Sequence, residues 1–458
     1  MKYSDEELLA ILKIENDAAV GFDNASILVN ERNRALEYYR GEMKDMAAPD
    51  NRSQAKSSDV ADAIETAIPD LVEIFLGGDD VLAFAPVGEE DEDAAQQETD
   101  YLRHVIFQQN DGFLLLYTGI KDALTCKTGV WTWWWEKNEA VTSTKFAGKT
   151  AIEVQLASQS GEITEISQDG GTDEEPTYAF TLVNRKDRSC ARIMAVPPED
   201  FAVAEDTVSL GPETTYCAMR ARPRAQDLIA EGVPKEKVDA IPSYYGDEGE
   251  QTRLARETVG EDEQPNDNAP GDLRRVEIRS HILRLVEEDK ETWWRVRTDA
   301  ECATLIDKQE VSGVNFAAIT PYPIPHKFYG RSLADLLLEL QRINTALTRT
   351  LLDSCYFAMN QRLVVNTDKA SDFTISDLLR NEPGMPIRVR GDGAVMPLQA
   401  ANLNFDPYAA MEYFATVGER RTGIVRNAQG LNPDTLHDTA KGAMTLMAAA
   451  QKRLRTTA

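Results

Sequence analysis

The sequence predicts an α+β protein, in which a mixed helical and β-rich body precedes two long helices that enclose a small insert. Three observations predict this architecture. A leucine-rich seam with a period near 3.5 residues marks one long helix over residues 332–360. Alternating prolines at 321, 323 and 325 separate it from the body, because proline disfavours helix at its own and the preceding position. Upstream, residues 129–136 (GVWTWWWE) are aromatic and β-prone.

The first 130 residues predict helices interrupted by one strand. Helical patterns cover residues 4–46, 58–76, 101–107 and 113–124, and residues 81–86 have the composition of a strand. Ser4 and Glu7 have the spacing of a capping box at the first helix start. Pro69 lies inside the second pattern and is expected to kink that helix or to start a new one.

Residues 137–320 predict short strands separated by polar turns. Within them, residues 242–272 are acidic and rich in Gly, Pro and Asn, a composition typical of an exposed or disordered loop. The tryptophans are expected to pack in buried sheets, because the run 131–135 has no interleaved Lys or Arg, which a base-stacking platform would need.

The predicted long helix begins at Ser332, which has capping-box spacing to Asp335, and meets no helix breaker before Asn360. A helix of about 30 residues is about 45 Å long, and its seam predicts packing against helices of neighbouring copies. The predicted oligomer contacts are the seam positions Leu333, Leu337, Leu340, Asn344, Leu347 and Leu351.

A compact β-rich insert is predicted over residues 361–402, and a helix over residues 403–425 follows it. The loop 426–438 interrupts the helical pattern, and a last helix begins near Thr439 and continues to Ala458. Between residues 418 and 458, basic residues outnumber acidic ones. Both an ordinary solvated helix face and a loop near a polyanion fit this charge.

The net charge of −28 is concentrated in the first part of the chain. Residues 1–325 carry 64 Asp+Glu against 33 Lys+Arg, whereas residues 326–458 carry 13 against 16. This acidity argues against broad nucleic-acid binding, which uses basic patches. The apolar runs are too short for a membrane span. Scattered cysteines and histidines predict buried thiols in a reducing compartment and no metal site.

The best catalytic candidate is Gly148-Lys149-Thr150, which resembles the end of a phosphate-binding loop. That motif requires a glycine five residues before Gly148, and Ser143 stands there instead. The flanking residues 141–146 and 151–156 have the pattern of two hairpin strands. The sequence therefore predicts no catalytic residue and no cofactor, and leaves a packaging ATPase as a disfavoured alternative.

The ordered set of segments resembles the portal (head-to-tail connector) proteins of tailed bacteriophages, especially those of short-tailed phages. The strongest resemblance lies in residues 326–360 (beginning HKFYGRSLADLL), 383–384, 395–398 (VMPL), 429–432 (QGLN), 439–442 (TAKG) and 449–451. Residues 35–42, 60–75 and 120–136 are similar too, so the resemblance spans nearly the whole chain. The order of the segments carries it, since no single motif is diagnostic.

The resemblance implies a portal-like fold with named parts. Residues 1–325 would be the wing, 326–360 and 403–425 the two stem helices, 361–402 the clip, 426–438 the tunnel loop and 439–458 a helix crossing the wing. Many relatives carry a crown after such a helix, and none follows Ala458 here. The residues implied to face DNA in the tunnel loop are Arg426, Asn427, Gln429, Asn432, His437 and Lys441. Those implied to dock partners at the clip are Lys369, Asp372, Arg380, Arg388 and Arg390.

The resemblance also implies a structural, non-enzymatic virion protein. Its subunits would form a ring, of twelve copies in the family, at one capsid vertex after assembly in the host cytoplasm. Double-stranded viral DNA would pass through without sequence recognition during packaging and ejection. The implied partners are the terminase, later the tail adaptor, and the major capsid and scaffolding proteins. No membrane is expected as a partner. A different phage assembly or adaptor protein with a helical oligomerisation stem is the alternative, and would form small oligomers without a central hole.

Overall fold

The computed structural model describes residues 3–22, 26–76, 82–86, 88, 91–172, 175–244, 271–287, 290–360, 362–380, 384–398 and 407–424. This part of the chain is mixed α+β, as the sequence predicts. Most of the predicted loop 242–272, the residues 425–458 and several short segments lie outside the described residues.

Helices form the first part of the body and recur as short segments later. They are α1 (Asp5–Ala18), α2 (Ile27–Tyr39), α3 (Asp59–Leu76), α4 (Glu92–Arg103), α5 (Gly112–Cys126), α6 (Ala151–Ala157), α7 (Ala225–Ala230) and α8 (Lys235–Ala240). The predicted capping box of Ser4 and Glu7 starts α1. Helix α3 is continuous through Pro69, so the proline does not start a new helix.

The strands of the body form three antiparallel sheets. They are β1 (Gly129–Glu136), β2 (Glu139–Thr150), β3 (Glu162–Thr172), β4 (Glu175–Asp187), β5 (Cys190–Val196), β6 (Phe201–Val203), β7 (Tyr216–Ala221), β8 (Ile278–Glu287), β9 (Lys290–Asp299), β10 (Leu305–Val311) and β11 (Phe316–Ile319). The strand orders are β10-β9-β8-β7-β6, β11-β1-β5 and β2-β4-β3.

The strands β6, β7 and β8 of the five-stranded sheet are packed on both faces. Leu8 and Leu12 of α1 pack on one face, against Tyr216 and Leu283. The opposite face packs on the β11-β1-β5 sheet in a cluster that contains Phe201. Because successive strand residues point to opposite faces, alternate positions of β6, β7 and β8 supply the two clusters.

The strand predicted over residues 151–156 is wrong, since α6 forms there. Thr150 caps α6 through a capping box with Glu153, a local helix-start pattern that the hairpin interpretation overlooked. The strand predicted over residues 81–86 is also absent from 82–86, the described part of that segment.

The prediction that the tryptophans are buried fails at the end of β1. Trp131 packs at Gly119 of α5, and its indole nitrogen donates to the Leu115 carbonyl. Three side chains beyond Thr132 are 39–58% exposed, namely Trp133, Trp134 and Trp135. Strand β11 pairs with β1 only as far as Thr132, so the rest of β1 has β5 as its strand partner.

Two further helices enclose the insert, as the sequence predicts. The long helix α9 spans Leu333–Met359, the insert contains β12 (Leu363–Val365), α10 (Thr374–Arg380) and β13 (Val395–Pro397), and α11 spans Pro407–Thr422. The start of α9 packs with α2, α3 and α5 in one helical core.

Candidate functional site

Buried ionic contacts fix the start of α9 to the body. Ser332 accepts from the Asp335 backbone N–H at 3.0 Å, in the predicted capping box. Lys127, which follows α5 and is almost fully buried, lies 2.5 Å from an Asp335 oxygen and 3.0 Å from a Glu31 oxygen. The lysine neutralises the carboxylate that caps α9 and so ties the helix to α2 and α5.

Polar side chains on the first half of α9 bond to segments far away in sequence. Gln341 is fully buried; its Oε1 accepts from the Val60 N–H, and its Nε2 donates to the Tyr38 carbonyl, both at 3.0 Å. Asn344 donates to Asp59 at 3.0 Å. These bonds satisfy backbone groups at the end of α2 and the start of α3, and they fix the rotation of α9 about its axis.

The predicted seam divides into two parts in the structure. Leu333, Leu337, Leu340 and Asn344 are buried, and the three leucines belong to the helical core of the same chain. Leu347 and Leu351 are half-buried. Contact of the seam with a neighbouring copy stays a prediction, and the buried members have little side-chain surface left for it.

The second half of α9, residues 346–359, has no buried residue. One side of it is covered by the loop before α3: Arg349 donates to the Met46 and Ala55 carbonyls at 2.6 and 2.8 Å, and Asp353 accepts from the Ser53 N–H. Apolar side chains are exposed elsewhere on this half, namely Leu352, Tyr356 and Met359.

Helix α11 runs antiparallel to α9. Gly418 of α11 faces Leu337 and Leu340 of α9, and a Cβ added there would make ordinary van der Waals contact with both. Arg421 donates to the Leu336 carbonyl at 3.3 Å. The chain therefore leaves the body along α9 and returns along α11.

A strand pair and an ion pair within the insert stabilise it. Strands β12 and β13 pair in antiparallel register, from Leu363 with Pro397 to Val365 with Val395. Arg388 forms two hydrogen bonds, at 2.7 and 2.9 Å, with the buried carboxylate of Asp377 in α10. These bonds lower the pKa of Asp377 to about 2.

Most of the predicted docking residues are engaged within the insert. Arg390 pairs with Asp372 at 3.0 Å, Lys369 donates to the Asp392 carbonyl at 3.2 Å, and Arg388 holds Asp377. Arg380 ends α10, near enough to Asp377 to help lower its pKa. The insert also exposes apolar side chains that were not predicted from the sequence, namely Leu363, Val364, Phe373, Ile375, Leu379, Ile387, Val389, Met396 and Leu398.

The predicted DNA-facing residues lie outside the described residues. These are Arg426, Asn427, Gln429, Asn432, His437 and Lys441, together with the predicted last helix 439–458. Their roles stay predictions.

The structure gives little support to a nucleotide site at Gly148-Lys149-Thr150. Lys149 forms an ion pair with Glu153 at 3.1 Å, and Ser143 stands inside strand β2. Among the described residues, no group of three or more His, Cys, Asp or Glu side chains could hold a metal ion, and no helix is long and apolar enough to cross a membrane.

The features above define a mixed α+β fold, consistent with a portal-like architecture, in which a helical pair carries a small insert. A comparison with protein-family models matches residues 8–458 to the Phage SU10 portal protein family. The chain belongs to this portal protein family, which confirms the predicted resemblance. No curated protein matches the chain.

The family is structural and not enzymatic, and it assigns the chain a portal role in the phage capsid. Membership implies a homo-oligomeric ring located at a capsid vertex.

Proposed function

We propose that twelve copies of this chain form the channel through which double-stranded viral DNA is packaged and later ejected. In this proposal residues 1–325 form the wing, α9 and α11 are the stem helices, and the insert 361–402 is the clip. The exposed apolar part of α9 supports it most directly. Leu352, Tyr356 and Met359 are exposed in the described part of the chain, and a neighbouring subunit of a ring would cover them.

The subunit contacts of the stem are proposed to lie on its second half. Because Leu340 is buried in the chain's own core, its replacement by Asp would destabilise the subunit itself as well as impair ring formation. Leu347 and Leu351 are half-buried and retain surface for a neighbour. Leu347→Asp is therefore the better test of the predicted seam.

The clip is proposed to dock the terminase first and the tail adaptor later. Its exposed apolar side chains, interleaved with Arg380, Arg388 and Arg390, support a protein-binding surface. Deleting residues 366–394 should leave the body folded, because this segment makes its ion pairs internally. The deletion variant should lose terminase in a pull-down assay, and retention of terminase would contradict the docking proposal.

The chain's part in DNA passage is proposed to be passive. The loop 426–438 would face DNA, and the symmetry of the ring would repeat each of its basic residues around the channel. The acidic body would repel phosphate and so keep the DNA mobile. ATP hydrolysis would belong to the terminase. Capsid and scaffolding proteins would receive the ring during assembly in the host cytoplasm.

Negative-stain imaging of the purified full chain tests the proposal. Rings with a central hole and twelvefold symmetry are expected, and Leu347→Asp should abolish them. Compact dimers without a hole, seen at low and high salt, would favour the adaptor alternative instead. ATP binding at micromolar concentration that is lost in Lys149→Ala would favour the ATPase alternative.

A further inference from the structure

Strands β2, β3 and β4 and helix α6 form an arm that lies between β1 and β5 in the chain. Among the described elements, none outside the arm packs extensively on it. Its core is small: Phe146 stacks on Phe180 with ring centroids 5.3 Å apart, and Leu182 is also buried. An extended strand as long as β2 spans about 35 Å, so the arm projects far from the body.

Helix α6 carries an apolar ridge, formed by Ile152 and Leu156. These side chains are 80% and 68% exposed, and positions four apart share one face of a helix. The helix packs on β2 and β4, and Val154 is half-buried. Glu153 pairs with Lys149 at 3.1 Å, so these neighbouring charges are satisfied within the arm. In the described part of the chain, the arm's own sheet therefore leaves the ridge uncovered.

The end of β1 exposes two tryptophans on the face of the sheet that α5 covers elsewhere. Trp131, Trp133 and Trp135 share this face, because alternate residues of a strand point to the same side. Helix α5 packs on Trp131, whereas Trp133 and Trp135 are 44% and 58% exposed. The next residue, Glu136, pairs with Arg192 at 2.6 Å.

The start of α5 enlarges this apolar surface. Asn110, just before α5, donates to the Ala191 carbonyl at 2.8 Å and accepts from the Ile193 N–H at 3.1 Å. These two β5 residues are the register partners of the exposed tryptophans, so α5 begins beside them. Two side chains in its first turn are exposed as well. The aromatic surface consists of Phe113, Leu114, Trp133 and Trp135.

The arm holds its ridge away from the aromatic surface of the same chain. Trp135 lies at the base of the arm, where Glu139 of β2 pairs with Asp187. Ile152 follows Thr150, at the opposite end of β2. The length of the extended strand therefore separates the two apolar surfaces within one subunit.

A second copy of the chain is a partner that can supply the missing contact. Family membership implies a homo-oligomeric ring, and in a head-to-tail ring each subunit presents two different surfaces to its two neighbours. The chain carries two such surfaces, a protruding aliphatic ridge and a broad aromatic surface. The ion pairs beside them are closed within the chain, so they require no charge from a partner.

We propose that the arm extends to the next copy in the ring and packs Ile152 and Leu156 on the aromatic surface of that copy. When the ring closes, every ridge and every aromatic surface is then covered. This contact is separate from the one proposed for α9. It rests on the ring that family membership implies, and not on the passage of DNA through it.

Cysteine crosslinking of assembled rings tests the contact. Ile152→Cys and Trp135→Cys are combined in the full-length chain, together with Cys190→Ser and Cys355→Ser, which remove the native thiols that are not buried. A bis-maleimide with a flexible spacer should join each subunit to the next, so denaturing gels should show a ladder of covalent multimers. Ile152→Cys combined with Ile27→Cys, an equally exposed position outside both surfaces, should give no ladder.

Mixed rings establish the direction of the contact. Rings of Ile152→Cys subunits and Trp135→Cys subunits should give a covalent dimer and nothing larger. The proposal is overturned if rings of the double variant give only monomers, if the linker joins two sites of one chain, or if Ile152→Cys alone gives dimers. Rings without a ladder leave the channel proposal intact, whereas a chain that forms neither rings nor multimers contradicts both proposals.

Leu156→Asp, added to the double-cysteine chain, tests the ridge independently. The position is exposed, so the subunit should fold normally, but the carboxylate would lose its hydration against the tryptophans. The yield of covalent multimers should fall severalfold. Ser143→Asp adds the same charge at an exposed position of β2 and should leave the yield unchanged. Equal yields from the two variants would contradict packing of the ridge on the aromatic surface.

Discussion

The two halves of α9 belong to one unbroken helix but have different surroundings. Residues 333–345 contain eight buried residues, among them the polar side chains of Gln341, Asn344 and Thr345, and pack on α2, α3 and α5. Residues 346–359 contain none, and they expose Leu352, Tyr356 and Met359. The predicted seam is thus buried within the chain as far as Asn344 and half-buried at Leu347 and Leu351, and the three exposed side chains lie on a different face of the helix.

This difference locates the part of α9 that has surface for assembly. A side chain that its own subunit already covers contributes to folding, and replacing it changes stability. A side chain that only a neighbour can cover contributes to assembly, and replacing it leaves the isolated subunit intact. One substitution made in both halves therefore separates the two roles.

The largest effect is expected for Leu340→Asp. Burying an unpaired carboxylate in the helical core and losing the leucine packing should lower the unfolding free energy of the monomer by about 4 kcal/mol or more. Urea unfolding followed by tryptophan fluorescence measures it. Leu352→Asp is the matched control, and similar losses in both variants would contradict the division of α9.

Gln341→Leu should be the next most destabilising change in the first half. It leaves the Val60 N–H without its partner, at a cost of about 1–3 kcal/mol, whereas the Tyr38 carbonyl still accepts from the Gly41 N–H at 3.0 Å. Urea unfolding should show a loss of about 1–3 kcal/mol. Gln341→Glu keeps an acceptor for Val60 but buries a carboxylate beside the Tyr38 carbonyl oxygen, so it should be at least as destabilising as Gln341→Leu. A loss below 0.5 kcal/mol, about the scatter of surface substitutions, would show that these bonds do not anchor α9.

Mild acid should weaken the body before it weakens the insert. Burial, with a smaller contribution from Arg279, lowers the pKa of His281 to about 3. Because an unfolded histidine titrates near pH 6.5, stability falls as the pH falls from about 6.5 towards 3, by about 2 kcal/mol between pH 7 and 5. Urea midpoints across this range measure the slope, which His281→Gln should reduce.

The insert should lose stability only at a lower pH than the body. The pKa of Asp377 is depressed to about 2 by Arg388, so its contribution is present above the ordinary carboxylate pKa and is lost as the pH falls through about 2. Proteolysis within residues 362–398 should therefore not increase between pH 7 and 5. An increase that tracks the loss of the body would show that the two regions unfold as one unit.

The smallest effect on the monomer is expected for Leu352→Asp. The side chain is exposed, so the unfolding free energy should change by no more than about 0.5 kcal/mol. Ring formation, measured by size-exclusion chromatography and negative-stain imaging, should nevertheless be strongly reduced. Thr350→Asp, which puts the same charge on an exposed polar position of this half, tests whether the loss requires an apolar site. Intact rings of Leu352→Asp would remove this face from the proposed interface.

Local sequence was enough to predict the ends of several elements. The capping boxes at Ser4 and Ser332 start α1 and α9, because their hydrogen bonds join residues three apart and need no distant partner. The α+β class, the helix–insert–helix order and the family followed from the succession of such patterns. The same rule would have identified α6, since Thr150 and Glu153 carry an equivalent capping box.

Tertiary structure decided which surfaces are covered. The exposed end of β1 depends on β11 pairing no further than Thr132, a contact between residues almost two hundred positions apart. Likewise, the period of α9 fixed one apolar face, whereas its coverage depends on α2, α3 and α5 meeting only the first half. Periodicity is set by neighbours along the chain, but burial is set by segments that folding brings together, so the sequence alone determined the helix and the tertiary structure determined where it remains free to bind.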